Sequence, residues 1–429
     1  MADKRKRPEP KKAPEPRPKR SFSIKPHLLS WAVFIPTVTT VFISLIAVVF
    51  PALISRTTSP FQDSVFSPNV VNPFEPGVLA APLVIVSIII LVIGLGYYKR
   101  SKYKVRFNKI ANFEISQKQA LIGVIAILVI FVAITANTLG QEEQWADYTK
   151  VKPRVESWDI SQFTKSFEPH FRYLLLSVSL HVFGSMRVIP LITSAALLLL
   201  TYFFTKNITG KRFAGLVSMA LFLQSNIFVA YSTTVSYDNS WILLYLFSLY
   251  LILKFWPPSP IPHFLSLFSK PLTIAFLPMN FYFIARSTLP KRFKMYSFAT
   301  YGIIIVAIIA ASAAYNTTFT GGIKPFDTFQ FWQGFTAMAM QMRFDYIVIL
   351  FLLPLTVMLF FASRRGILHA DSIMVFILIN LLIAPLLTAF TIETNQPYRF
   401  VSLLLFFAIG AGVLLSNKTR KETELSSST

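Results

Sequence analysis

Between Gln141 and Arg172 the chain gathers side chains that can move protons. Glu142, Glu143, Asp147, Glu156 and Asp159 fall in one polar stretch between long apolar runs. A carboxylate at the end of a membrane segment loses part of its hydration, and its pKa rises toward that of a useful general base. Glu142 and Glu143 stand at that position, with Trp145 beside them. Glu143 and Asp147 are four residues apart and share a face if the segment is helical. The same cluster also reads as a solvated run that simply ends a helix.

Cations that could meet a developing negative charge lie far away in sequence. Lys270 sits between two apolar stretches, where an ammonium needs a partner. Arg399 comes just before the last apolar run, a place where arginine also serves as an interfacial anchor. His170 lies near the start of, and Arg187 just after, an amphipathic segment, "EPHFRYLLLSVSLHVFG", that is too short to span and reads as an interfacial helix. Asp238, in "STTVSYDNS", is either a further acid of the site or the cap of a helix beginning at Asn239.

The elements that must position these residues are membrane helices. The chain has 429 residues, 54% hydrophobic and only 14% charged. A soluble protein would carry nearly twice that charge fraction, roughly 25%. Apolar runs of bilayer length recur, and the period-2 pattern of barrel strands does not. The expected fold is an all-α polytopic bundle of about 11–12 membrane segments. These are 28–54, 78–98, 119–139, 186–205, 213–231, 239–255, a short pair 261–269 and 271–285 with Lys270 at its tip, 296–314, 346–362, 372–391 and 400–416. No cysteine is present, which excludes disulfides, thiolate metal sites and a cysteine nucleophile.

The net charge of +22 does not indicate nucleic acid, because its distribution follows a membrane. With the N-terminus inside, inner loops and ends carry 30 of the 41 Lys/Arg and 7 of the 19 acids. The outer side carries 11 basic and 12 acidic residues, a positive-inside split. Residues 1–26 read as a disordered basic cytoplasmic tail, near anionic headgroups, and 417–429 as a second cytoplasmic tail. The loop 140–185, the loop 315–345 and the segment around Arg399 are expected outside.

The order of these features resembles the GT-C superfamily of membrane glycosyltransferases, in the branch of protein O-mannosyltransferases and lipid A aminoarabinose transferases. "EEQW" stands where that family has its acidic pair, and "EPHFRYLLLSVSLHVFG" where it has an interfacial helix. Arg187, "NITGKRFAGL", Asp238, "LFSKP" with Lys270 and "PYRF" with Arg399 follow in the family's order. The likeness covers residues 119–416 and leaves 27–118 as an extra N-terminal helix pair with a basic cytoplasmic loop. The first acid is Glu rather than Asp, the family's double proline is Pro169 and His170, and no soluble domain follows the last helix.

The resemblance implies an enzyme that moves a sugar from a polyprenyl- or dolichyl-phosphate donor to a protein, lipid or glycan acceptor on the external face, with inversion. It implies Glu142, Glu143 or Asp147 as the base. Arg399, Lys270, Arg187 and His170 become the phosphate ligands, and Asp238 and Trp145 belong to the substrate site. No cofactor is required; a divalent cation on the acids is compatible but not implied, and no "DxD" string occurs. The expected setting is a prokaryotic cell membrane with both termini cytoplasmic. A transporter or flippase would place charges at midplane on broken helices, and a scaffold subunit would leave the acids without a role.

Because the chain lacks cysteine, single introduced thiols report its topology. A Cys at Lys104 should escape an impermeant thiol reagent in intact cells, while one within 140–170 reacts. Labelling at Lys104 reverses the topology.

Overall fold

The computed structural model describes residues 26–49, 80–99, 112–143, 147–161, 170–314, 324–342, 345–390 and 397–416. The two expected tails, Trp145 and much of the loops 50–79 and 100–111 lie outside the described residues. Among the described residues the chain is helical and has no strand. In order, the helices are α1 (Pro26–Val49), α2 (Ala80–Lys99), α3 (Gln117–Thr135), α4 (Tyr148–Glu156), α5 (His170–Phe183), α6 (Val188–Thr209), α7 (Arg212–Leu223) and α8 (Asn226–Tyr231). They continue as α9 (Ser240–Lys254), α10 (Pro260–Ser269), α11 (Leu277–Arg286), α12 (Lys291–Ala314), α13 (Thr328–Met342), α14 (Tyr346–Arg364), α15 (Ala370–Phe390) and α16 (Val401–Leu414).

Five of these segments are long and apolar enough to cross a membrane: Leu28–Val49, Gln117–Thr138, Val188–Thr209, Tyr346–Arg364 and Ala370–Phe390. Shorter apolar helices run over Ala80–Gly96, Arg212–Leu223, Ser240–Lys254 and Tyr398–Leu414. The protein is therefore membrane-embedded and multi-pass. Its surface agrees: Leu121, Ile122, Ile125 and Val129 of α3 and Ile303, Val306 and Ile309 of α12 are exposed, as side chains facing lipid are.

Local signals set the helix ends. Ser116 accepts from Gln119 N at 3.3 Å while the Gln119 side chain accepts from Ser116 N at 3.0 Å, a reciprocal capping box that starts α3. Gly184 (φ +68) ends α5 and Gly210 (φ +76) ends α6, both left-handed positions that glycine takes without steric cost. The run 213–231 expected as one span is broken: Gln224 and Ser225 interrupt it, and the Ser225 hydroxyl accepts from Phe228 N at 3.2 Å to restart the chain as α8. The chain reverses at Lys270, so that His263 of α10 and Asn280 of α11 meet at 3.1 Å.

The expected loop 315–345 differs most from the sequence reading. Its second half folds as α13, which packs on α15 and α1. Its apolar residues are aromatic and methionine-rich rather than a long aliphatic run, which hid the helix. The contact with α15 is close enough to require glycine: a Cβ on Gly334 would lie 2.4 Å from the Pro385 Cα. The N-terminal helix is not peripheral. α1 packs against α13, α14 and α15, with Ser30 and Ser363 hydroxyls 2.8 Å apart and Phe34 stacked on Phe360 at 4.1 Å.

Gly334→Ala should therefore lower the thermal midpoint in detergent, at a cost of about 1–3 kcal/mol, because backbone rather than a yielding side chain fills the space. An unchanged midpoint would show that α13 does not lie against Pro385.

Candidate functional site

The site is built around an irregular segment. Residues Tyr231–Ser240, between α8 and α9, are buried without exception although they include Ser232, Thr233, Thr234, Ser236, Asp238 and Asn239. Non-helical backbone inside a membrane bundle must find its hydrogen bonds in the protein. Two charged side chains supply four of them. Val235 N donates to Glu143 Oε2 at 2.6 Å and Ser236 N donates to Glu143 Oε1 at 3.0 Å. On the other side, Arg172 Nη2 donates to the Val235 carbonyl at 2.7 Å and to that of Ser236. The Arg172 Nε lies 2.8 Å from Asp238 Oδ2.

Neighbouring helices hold the rest of the segment. Ser194 of α6 donates to the Ser232 carbonyl at 2.8 Å and accepts from Asn239 Nδ2 at 3.1 Å. The hydroxyls of Thr138 and Thr233 are 2.8 Å apart. Asp238 Oδ1 accepts from Ser240 N at 2.9 Å, so this acid holds the first amide of α9, whose N-cap residue is Asn239, and is one half of an ion pair.

Arg187 fixes the acidic pair from below. Its Nη1 donates to the Gln141 carbonyl at 2.7 Å and to that of Thr138, which pins the turn leaving α3. Glu143 consequently points inward and is buried, while Glu142 points outward, is exposed and lies 3.5 Å from Lys152. Gln141, Glu142, Glu143, Tyr148, Thr149 and Arg187 line an open cleft of about 820 Å³.

Beyond the segment the contacts become aromatic and cationic. Tyr237 donates its hydroxyl to Asp147 Oδ2 at 2.6 Å, and its ring stacks on Tyr398 at 4.3 Å and 14°. The Lys270 Nζ lies 3.4 Å from the centroid of the Tyr398 ring and 5.7 Å from that of Trp241. Arg399 Nε donates to the Tyr398 hydroxyl at 3.4 Å. Aromatic faces attract an ammonium, so Lys270 is held there with no ion-pair carboxylate among the described residues. Burial lowers its pKa to about 8; Tyr398 opposes the shift, while the charges of Arg399 and Arg172 add to it. Burial, and then the Asp147 carboxylate, push the Tyr237 phenol well up, so it stays a donor.

The structure thus brings Glu143, Asp147, Asp238, Lys270 and Arg399 into one contact chain, with Glu142 and Arg187 at the adjoining cleft. His170 is buried at the start of α5. Arg187 is committed to backbone carbonyls. Arg172, Tyr237 and Tyr398 were not singled out from the sequence. An arginine inside a mostly apolar helical stretch was the signal available for Arg172. Among the described residues no group of three or more His, Asp or Glu side chains is placed to hold a metal ion. No family model, curated protein or solved structure matches this chain.

The Lys270 charge gives the site a pH signature. Lys270 is an ammonium below about pH 8 and neutral above it. Binding of a small anionic probe such as methyl phosphate should weaken as pH rises from about 7 to 9. The Tyr398 phenol, which burial raises but the charges of Lys270 and Arg399 bring down to about 8, titrates in the same window, so Lys270→Arg should lessen that dependence and Lys270→Arg with Tyr398→Phe should remove it. A flat profile in the unmodified protein takes Lys270 out of the anion site.

Proposed function

We propose that this protein is a membrane glycosyltransferase that moves a sugar from a polyprenyl-phosphate donor to an acceptor at the outer face of the membrane. One observation carries the reading: Tyr237 of the buried segment links the Asp147 carboxylate to Tyr398, against which Lys270 and Arg399 lie, and Glu142 stands on the cleft beside the segment. The family resemblance in the sequence points the same way.

In this reading Glu142, open to the cleft, accepts the proton of the acceptor hydroxyl as its oxygen attacks the anomeric carbon. The bond from that carbon to the phosphate oxygen breaks, with inversion, and the electron pair leaves on the lipid phosphate. Lys270 and Arg399 meet the new charge with charge-assisted hydrogen bonds. Glu143, with both oxygens on backbone amides, holds the segment instead of acting as the base. Asp147, bonded to Tyr237, is the second candidate for the base. The acceptor is a protein, lipid or glycan hydroxyl.

The test is transfer from a radiolabelled polyprenyl-phosphate sugar by the purified protein. Glu142→Gln should cut turnover by roughly two to four orders of magnitude with donor binding kept. Arg399→Ala should weaken donor affinity by about ten- to a hundredfold, and Arg399→Lys should recover only part, since an ammonium lacks the guanidinium fork. Full transfer by Glu142→Gln moves the base to Asp147. Equal donor affinity in all three Arg399 forms removes this residue from the site.

A further inference from the structure

The two peptide units at Val235 and Ser236 are gripped from opposite sides, their N–H groups by one buried carboxylate and their carbonyls by one guanidinium. The same guanidinium reaches Asp238. Between these anchors stands Tyr237, the residue that joins Asp147 to the Tyr398 ring beneath Lys270. The anchors come from distant elements: Glu143 follows α3 and Arg172 lies on α5, so the segment's position depends on where both elements sit.

We infer that Arg172 is a positioning residue, which with Glu143 fixes the register of the Val235–Asp238 segment and so sets Tyr237 between the acids and the cations of the site. The inference deepens the glycosyltransferase reading and rests on it for its kinetic arm. Chemically, the role needs arginine. Its Nε serves Asp238 while Nη2 serves two carbonyls, a fork that one lysine ammonium cannot reproduce. Lysine would keep the charge beside Asp238 and release the carbonyls. The segment would then stay attached but lose its register.

Two measurements test this. The chain has no cysteine, and the Ser236 hydroxyl is buried with no hydrogen bond among the described residues, so Ser236→Cys supplies a unique, silent thiol. In the detergent-solubilised full chain this thiol should react slowly. Adding Arg172→Lys should speed labelling by about tenfold or more, with the global melting midpoint nearly unchanged, because only the local opening becomes easier. Glu143→Gln, which loosens the same peptide units from the other side, should do likewise and serves if Arg172→Lys fails to fold. Labelling that stays slow in both overturns the clamp.

The second arm is transfer per folded molecule. Positioning predicts that Arg172→Lys lowers kcat by about tenfold or more while donor KM stays within about threefold. A raised KM with kcat intact would mean that Arg172 touches the donor phosphate directly, and unchanged kinetics would mean that the segment's register does not matter to transfer; either result overturns the assignment. If the unmodified protein transfers nothing, the glycosyltransferase reading falls, and the labelling arm still decides the clamp.

Discussion

A buried stretch of irregular backbone in a membrane bundle is the constraint on which the site depends. Its peptide groups are buried, and each one left without a partner costs on the order of 1–3 kcal/mol. The segment Tyr231–Ser240 meets that demand with charges. Glu143 and Arg172 act on the same two peptide units, and their own desolvation is offset by the hydrogen bonds they make. Neither could be removed alone without stranding the other's partners. Ser194, Thr138 and Asn239 complete the set with neutral bonds.

Lys270 is treated differently from Arg172 and Arg286, which are paired with carboxylates. Arg286 is matched in the ordinary way, to Asp371, which also accepts from Tyr282 at 3.1 Å. That pair ties α11 to the start of α15. Lys270 instead rests on ring faces, and Arg399 lies against the same tyrosine. A cation held by quadrupoles rather than by a carboxylate keeps its charge unneutralised and keeps its geometry. Lys270, with no ion-pair carboxylate among the described residues, thus meets the electrostatic condition for receiving an anion without first breaking an ion pair.

Much of this was readable in the residues, and the failures have physical causes. The all-helical class followed from composition and bilayer-length runs, although among the described residues five helices, not 11–12, are long and apolar enough to cross. Hydropathy counts apolar length, so it joined α7 and α8 across a serine-capped break and missed the aromatic α13. Asp238 came mainly from the family resemblance, and charge position flagged Glu142, Glu143, Asp147, Lys270 and Arg399, since an ionisable residue next to lipid is conspicuous. It could not say which of two adjacent glutamates faces inward, because that is decided by Arg187 pinning the preceding turn. Arg172, Tyr237 and Tyr398 act through backbone carbonyls and ring stacking, and neither leaves a spacing pattern in one sequence.

The docking of α1 has a consequence for the order of events during synthesis. Its partners are α13, α14 and α15, and the hydroxyl contact between Ser30 and Ser363 joins residues 333 apart in the chain. At ribosomal rates of about 5–20 residues per second, α1 waits roughly 20–70 seconds after its own synthesis for the surface it will cover. Over that interval Thr37 and Trp31 lack the contacts they make in the finished bundle, to the Met374 carbonyl and the Phe360 ring. Until α13, α14 and α15 are made, the polar and aromatic face of α1 that they cover needs insertion machinery or lipid to shield it.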